Sequence, residues 1–154
     1  MIARRATAVD AGELVRLRAV MFSGVGMRIE DDDWREASRR ILVKRLSEPA
    51  PTMAAFVVDR PAGDGLAACV LGTIEERLAS PGSPDGRSGY VFSVATDPDL
   101  RRRGYGRLCL TALLDWFRAA GLSRVDLRAS PDGTPLYKSL GFELTRDPAM
   151  RLRL

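Results

Sequence analysis

Apolar residues recur along the first half of the chain with spacings that predict one strand and then two helices. The strand covers Ile2–Thr7 and is expected at a sheet edge. Asp10 caps the first helix. The inward residues of this helix are Leu14, Leu17 and Met21. Asp32 or Asp33 starts the second helix, and its inward residues are Trp34, Ala37, Ile41 and Leu42.

Three strands are predicted in the middle of the chain. Ala54–Asp59 and Leu66–Ile74 form an expected pair, because residues 60–65 between them are rich in turn formers. Residues 80–87 form a loop rich in Ser, Pro and Gly, and Ser88–Thr96 follows it as the third strand.

The second half begins with an amphipathic helix that Gly121 closes as its C-cap. Its apolar residues follow the i, i+3, i+4, i+7 spacing and are Leu110, Leu113, Leu114 and Phe117. A strand follows, with alternating apolar residues Val125, Leu127 and Ala129. Thr134 and Pro135 then start a short helix that ends at Gly141.

Residues 94–107 are chemically the most informative, because an apolar strand runs into an arginine- and glycine-rich turn that opens a helix. The first N–H groups of a helix lack partners and carry the positive end of its dipole, so they attract phosphate. Gly104 and Gly106 allow the backbone to approach a pyrophosphate closely. Charged forked donors come from Arg101, Arg102, Arg103 and Arg107. The segment predicts a phosphate site; the structural alternative is a basic turn that only caps the helix.

Two other glycine motifs do not fit this turn. A dinucleotide fingerprint needs a third glycine where Cys109 stands, and a Walker loop needs Gly-Lys-Ser/Thr where Gly106 is followed by Arg107 and Leu108. The turn instead resembles the acyl-coenzyme A motif of the Gcn5-related N-acetyltransferase (GNAT) family, Gln/Arg-x-x-Gly-x-Gly/Ala, through Arg101, Gly104 and Gly106.

A second motif strengthens the resemblance. Residues 136–142 read Leu-Tyr-Lys-Ser-Leu-Gly-Phe and are similar to the family signature Leu-Tyr-x-x-Leu-Gly-Phe, in the expected order. The resemblance implies an α/β (α+β) fold with a mixed, mostly antiparallel central sheet flanked by helices. The expected element order is β-α-α-β-β-β-α-β-α-β-β. Ser88–Thr96 and Arg124–Ser130 would be two splayed parallel strands that form the acyl-CoA cleft.

The resemblance also implies a mechanism in which an amine attacks acetyl-CoA directly in a ternary complex. The thioester would lie beside backbone N–H groups near Ser93 and Val94. Acetyl-CoA as co-substrate would contact Val94, Ala95, Thr96, Arg101, Arg102, Arg103, Gly104, Tyr105, Gly106, Arg107, Ser130 and Lys138. Ser130 stands where the family often has asparagine, and an exposed helix lysine is the alternative for Lys138.

Candidate proton-transfer groups are a tyrosine and two carboxylates. Tyr137 occupies the tyrosine of the second motif, the family's usual general acid, with a structural hydrogen bond as the alternative role. Glu75 and Glu76 are the nearest candidates for the general base. One alternative is a base that acts through ordered water. The other is that both residues are only the solvated end of a strand.

The amine acceptor is open at this point. Glu30, Asp31, Asp32 and Asp33 would suit a cationic acceptor such as a polyamine, an aminoglycoside or a basic peptide end, or would simply stabilise a helix N-terminus. A toxin-like aminoacyl-tRNA acetyltransferase, a non-catalytic acyl-CoA sensor and a nucleic-acid module are alternative functions. A homodimer is also possible in this family.

The composition of the chain excludes several classes of function and site. The 154 residues fit one domain, 1–154, and the absence of histidine excludes Ser-His-Asp, Cys-His and His-containing zinc sites. Cys69 and Cys109 are expected as buried thiols, and no metal site is expected. The net charge of +4 is spread along the chain, so no dedicated nucleic-acid surface is expected. A charged N-terminus and the lack of a long apolar run predict no signal peptide, no membrane anchor and a cytoplasmic location.

Overall fold

A computed structural model describes residues 1–154 and contains one five-stranded sheet with helices on both faces. The strands are β1 Arg4–Arg5, β2 Met53–Asp59, β3 Leu66–Glu76, β4 Arg87–Thr96 and β5 Val125–Leu127. The helices are α1 Ala11–Gly24, α2 Asp33–Leu46, α3 Tyr105–Ala119 and α4 Thr134–Ser139. The sheet order is β1-β2-β3-β4-β5, and only the pair β4–β5 is parallel. The predicted mixed, mostly antiparallel sheet is confirmed.

Two apolar layers hold the helices against the sheet. On one face, α1 and α2 bury Leu14, Leu17 and Leu42 against residues of β2 and β3. On the other face, all four apolar positions predicted for α3 are buried. Phe117 of α3 lies directly on the sheet at Gly72. A Cβ at this position would come within 2.7 Å of the Phe117 ring, so only glycine leaves room for it. This close approach holds the C-terminal half of α3 against β3 and the beginning of β4.

The inward face predicted for α2 needs correction at Ala37 and Ile41, which are exposed. The helix packs instead along an i, i+4 row. The members of this row are Trp34, Ser38, Leu42 and Leu46. One residue from each successive turn of α2 therefore contacts the core. The predicted face was broader and also included Ala37 and Ile41, which lie outside this narrow stripe.

The predicted strand ends are wrong at both edges of the sheet. The first strand is Arg4–Arg5 rather than Ile2–Thr7, and the strand predicted over Arg124–Ser130 ends at Leu127. Both are edge strands, so each has hydrogen-bonding partners on one side only. The two strands expected after the last helix do not form, and Leu144, Met150 and Leu152 are exposed there.

The two cysteines are buried free thiols, as predicted. Burial raises the pKa of Cys109 to about 12 and also raises the pKa of Cys69 above its ordinary value. Both therefore stay protonated and pack as small apolar groups. No helix combines the length and the apolar character needed to cross a membrane.

Candidate active site

The turn between β4 and α3 has an unusual backbone path. A short 3-10 turn, Pro98–Leu100, follows β4, and the chain then adopts positive φ at Arg102 (64°) and at Gly104 (82°). Positive φ is uncommon for a residue with a Cβ, and Gly104 adopts it as the N-cap of α3 without steric cost. The backbone N–H groups of this loop lead directly into the first turn of α3.

These N–H groups are unsatisfied within the protein. None of the seven consecutive amides from Arg101 to Arg107 donates a hydrogen bond to a backbone or side-chain acceptor; the first amide bonded in α3 is that of Leu108, to Gly104 O at 3.1 Å. They lie at the positive end of a 15-residue helix. Unpaired N–H donors at a helix start are the kind of group that binds anions in proteins, and binding of a phosphate by these seven amides stays a prediction.

The four arginines of the turn add positive charge that no carboxylate neutralises. Arg101 donates from Nε to Thr96 O at 3.3 Å, and Arg107 donates from Nη2 to Ser139 Oγ at 2.7 Å, which joins α3 to α4. Arg102 and Arg103 are exposed and make no ion pair. Tyr105 is buried in the core, so only its backbone faces the turn.

A partly buried ionic network anchors the beginning of the turn. Asp97, with a side chain only 6% exposed, accepts hydrogen bonds from both terminal nitrogens of Arg16, at 2.7 and 3.0 Å, and from Arg60. Arg16 also pairs with Glu13, whose Oε2 accepts the Leu66 N–H at 2.9 Å. The network connects α1, the β2–β3 turn and the end of β4, and it therefore holds the turn before α3 against the body of the sheet. Composition and periodicity did not indicate it, because its members lie far apart in the sequence.

The parallel strands separate beside this turn. Pairing between β4 and β5 ends at Val91 and Leu127, so the second half of β4 has no neighbour on that side. On its other side, β4 carries a bulge: Leu71 pairs with Phe92 and Cys69 with Ala95, which leaves two residues of β4 against one of β3. The predicted splayed pair is confirmed, and the open edge of β4 includes Val94, Ala95 and Thr96.

The bulge residue Ser93 has φ of 50° and lies on the α1 side of the sheet. Phe92 and Ser93 both line a cavity on this side, whereas Val94 packs in the opposite layer. Two successive side chains on one face are the signature of a bulge, and the ladder is interrupted at this point. The centre of β4 therefore offers both an unusual backbone conformation and an adjacent cavity.

Tyr137 belongs to the apolar layer on the α3 face of the sheet, against which Val94 of β4 also packs. Its ring is buried against Phe142, with ring centroids 6.0 Å apart, while its hydroxyl has no protein partner and reaches the molecular surface. Burial raises the pKa of the Tyr137 phenol above its ordinary value near 10, so the group is protonated at neutral pH. A Cβ at Gly133 would come within 2.8 Å of Tyr137 Cε2, so the absent side chain makes room for the ring.

Ser130 and Lys138 lie on either side of this tyrosine. Ser130 Oγ accepts the Gly133 N–H at 3.2 Å, and its carbonyl accepts from Thr134, so Ser130 caps the first turn of α4. Lys138 is exposed and makes no ion pair. Contact of either residue with a cofactor stays a prediction.

The carboxylates proposed as a base lie away from the bulge. Glu75 and Glu76 pair with Ser88 and Arg87 at the beginning of β4, five residues before Ser93, which corresponds to about 16 Å along a strand. Glu75 also forms an ion pair with Arg77 at 2.9 Å. The structure does not bring these two residues to the centre of the site, and their role as a base stays a prediction.

The acidic segment before α2 is exposed and partly neutralised. Asp32 pairs with Arg35 at 2.7 Å, Glu30 approaches Arg28 at 3.7 Å, and Asp31 Oδ1 accepts the Asp33 N–H at 3.2 Å. Its bonds are local contacts that support the start of α2. Binding of an acceptor by this segment stays a prediction.

Comparison with solved structures defines the class of the fold. A predicted acetyltransferase from Clostridium acetobutylicum, solved with acetyl-CoA, superimposes with a TM-score of 0.86 at 21% identity, over 98% of this chain and 94% of that chain. The arrangement of a splayed sheet beside the glycine-rich turn is therefore the fold of an acetyltransferase.

The family follows from sequence comparison. The family model described as acetyltransferase (GNAT) family matches residues 16–142, and the chain belongs to this family. It is 42% identical over 55 residues to a [Ribosomal protein bS18]-alanine N-acetyltransferase from Salmonella typhimurium, which covers 34% of this chain and 37% of that protein. It is 31% identical over 147 residues to a mycothiol acetyltransferase from Clavibacter michiganensis, which covers 94% of this chain and 42% of that protein. The chain thus spans about two fifths of the length of these curated relatives.

One residue of the site was missed from the sequence. Arg18 of α1 donates from Nη1 to Ser93 Oγ, at the bulge of β4. The signal was present: Arg18 follows Leu14 by four residues and precedes Met21 by three, so a charged residue occupies the apolar face of α1. A charge at such a position needs a partner or a function.

Proposed function

We propose that this protein transfers the acetyl group of acetyl-CoA to a primary amine by direct attack within a ternary complex. The observation that carries the proposal is the run of seven open amides, Arg101 to Arg107, beside the unpaired edge of β4. The pyrophosphate of acetyl-CoA would accept hydrogen bonds from these amides, and the guanidinium groups of the turn would add charge at its rim. Four uncompensated arginines and a helix start fit a cofactor that carries several phosphate charges.

The open edge of β4 would hold the pantetheine arm. Backbone groups of Val94 to Thr96 have no strand neighbour on the β5 side, so an extended amide-containing chain can add there as a strand would. This placement brings the thioester to the bulge at Ser93. A backbone N–H freed from the ladder there would stabilise the negative charge that develops on the thioester oxygen.

The chemical step needs a proton donor near the sulfur. When the amine nitrogen forms its bond to the thioester carbon and the carbon–sulfur bond breaks, the Tyr137 hydroxyl would donate its proton to the sulfur. Two features support this role: the hydroxyl has no protein partner, and burial raises its pKa, so that the proton is retained until it is needed. The nitrogen would lose its proton to ordered water, and water would return a proton to the Tyr137 phenolate after each transfer. Glu75 and Glu76 lie far along β4 from this point and would act as the base only through such water.

Calorimetric titration of acetyl-CoA into the protein tests the binding site. Gly104→Glu places a carboxylate where the amides converge, at a position with no atom within 4 Å of the new Cβ. We expect affinity to fall at least tenfold, because the added charge occupies the anion site. Gly63→Glu is the matched control, since Gly63 has φ of 80° and equally open surroundings on the β2–β3 turn. Equal affinity in Gly104→Glu and Gly63→Glu would contradict the proposed site.

A further inference from the structure

A small cavity lies beside the bulge of β4, on the face opposite to Tyr137. It has a volume of about 130 Å³, is open to solvent on one side beside Ile41, and lies between α1, α2 and the centre of the sheet. Its walls are mostly apolar and include Leu14, Leu42, Met53, Leu71 and Phe92. Its polar groups are Arg18, Ser38 and Ser93. The volume corresponds to about four water molecules, so the space suits a small molecule or the end of a larger one.

Arg18 provides the only charge in this cavity. Its guanidinium lies over the Phe22 ring at 4.7 Å and donates to Ser93 Oγ, but no carboxylate lies within ion-pair distance. Arg16, two residues earlier on the same helix, instead pairs with both Glu13 and Asp97. A partly buried cation without an anion is costly to desolvate, and burial lowers the pKa of Arg18 below its ordinary value. The anionic group of a bound ligand would compensate the charge of Arg18.

The position of the cavity relates this charge to the proposed chemistry. Ser93, which accepts the hydrogen bond from Arg18, is also the bulge residue beside which the thioester would lie. A molecule bound in the cavity would thus have one end at Arg18 and another within reach of the reacting carbon. Arginine binds carboxylate and phosphate with paired N–H donors, and this geometry would orient the bound molecule.

We propose that the acceptor is a small primary amine that carries a carboxylate or a phosphate, and that Arg18 binds this anionic group while the amine lies at Ser93. The proposal rests on the proposed acetyl transfer and names the acceptor class of the same site. A polycationic acceptor is disfavoured, because the cavity has no carboxylate to receive it. The acidic segment 30–33 does not line this cavity.

Matched amine pairs test this acceptor class. Glycine and glycinamide differ in a carboxylate, and O-phosphoethanolamine and ethanolamine differ in a phosphate. Each amine is titrated calorimetrically into the CoA-saturated protein, and thiol release from acetyl-CoA is then measured with each. We expect the anionic member of at least one pair to bind, and to react with kcat/KM at least tenfold higher than its neutral partner. The pair that shows this preference identifies the anionic group.

Variants of Arg18 connect the preference to this residue. In Arg18→Met, the ratio of kcat/KM between the anionic and the neutral amine of each pair should fall close to one. Arg18→Lys should keep part of the preference for the anionic amine because the positive charge is retained. Arg118→Met is the control, since Arg118 is exposed on α3 and pairs with Asp115. Its ratio should equal that of the wild type.

The failures of the two proposals are distinguishable. If acetyl-CoA binds but neither anionic amine binds better than its neutral partner, or if Arg18→Met keeps the preference, the acceptor proposal is overturned while the cofactor site stands. If the folded wild type does not bind acetyl-CoA, the proposed function fails irrespective of the amines.

Discussion

Replacing Tyr137 by phenylalanine removes one oxygen from the proposed acid and changes little else. The hydroxyl has no protein hydrogen-bond partner, and the ring packing against Phe142 is retained in the variant. We therefore expect the free energy of unfolding to change by less than about 0.5 kcal/mol. Affinity for acetyl-CoA should also stay within about twofold, since the hydroxyl acts only when the carbon–sulfur bond breaks.

The turnover rate should fall much more. General acids contribute about 10² to 10⁴-fold, and a thiolate is a modest base that leaves comparatively readily, so we expect a loss of kcat near the lower value, about 10²-fold. This factor corresponds to about 2.7 kcal/mol of transition-state stabilisation. Thiol release from acetyl-CoA with a saturating amine acceptor measures kcat, and calorimetry measures affinity. A kcat within twofold of the wild type would remove the acid role of Tyr137.

Gly133→Ala tests the same role without removing the hydroxyl. The new Cβ would lie 2.8 Å from Tyr137 Cε2, so the ring must move by about 0.6 Å to reach an ordinary contact of 3.4 Å. Displacement of a catalytic group by this amount should lower kcat by about tenfold. In the Tyr137→Phe background the same substitution should change kcat by less than twofold, because no positioned hydroxyl remains. Equal effects in both backgrounds would mean that Gly133 acts through the fold alone.

The remaining predictions concern stability. Gly72→Ala should lower the free energy of unfolding by about 1 to 3 kcal/mol in urea titrations, because its Cβ would lie within 3 Å of Phe117 and Leu113; Gly12→Ala, with no atom within 4 Å, is the control and should not destabilise. Stability should also fall between pH 6 and pH 3. Arg4 lowers the pKa of Asp10 in the folded state, so the stabilisation is complete above the unfolded pKa and is lost as pH falls through the lower folded one. Asp10→Asn should be less stable than the wild type at pH 6 and lose less stability on acidification; an unchanged pH dependence would contradict this assignment.

Local patterns accounted for most of the secondary structure and for the glycine-rich turn before α3. The spacing of Leu110, Leu113 and Phe117 predicted the buried face of α3 because a helix repeats every 3.6 residues whatever it packs against. The motif around Gly104 predicted the turn with open amides for a similar reason: the donors belong to one continuous segment, so their arrangement depends on the local backbone. The order of the two motifs indicated the family that the comparison later established.

Edge strands and contacts between distant residues were not predictable in this way. β5 ends at Leu127 because its pairing with β4 stops there, and no property of residues 128–130 alone determines that point. The position of Glu75 relative to Ser93 likewise depends on strand register. Its place at the end of the strand before β4 made Glu75 a candidate, whereas the antiparallel pairing sets it opposite Ser88, away from the bulge.

The sequence by itself determined the family, the order of the central elements, the helix faces of α1 and α3 and the glycine-rich turn before α3, since each rests on periodicity or on a continuous motif. Only the tertiary structure decided how Arg18 of α1 meets Ser93 of β4, how Asp97 joins Arg16 and Arg60, and how Gly133 makes room for Tyr137. These contacts join residues that are distant in the sequence or depend on the packing of whole elements. They exist because the helices lie on the sheet at positions fixed by the buried core.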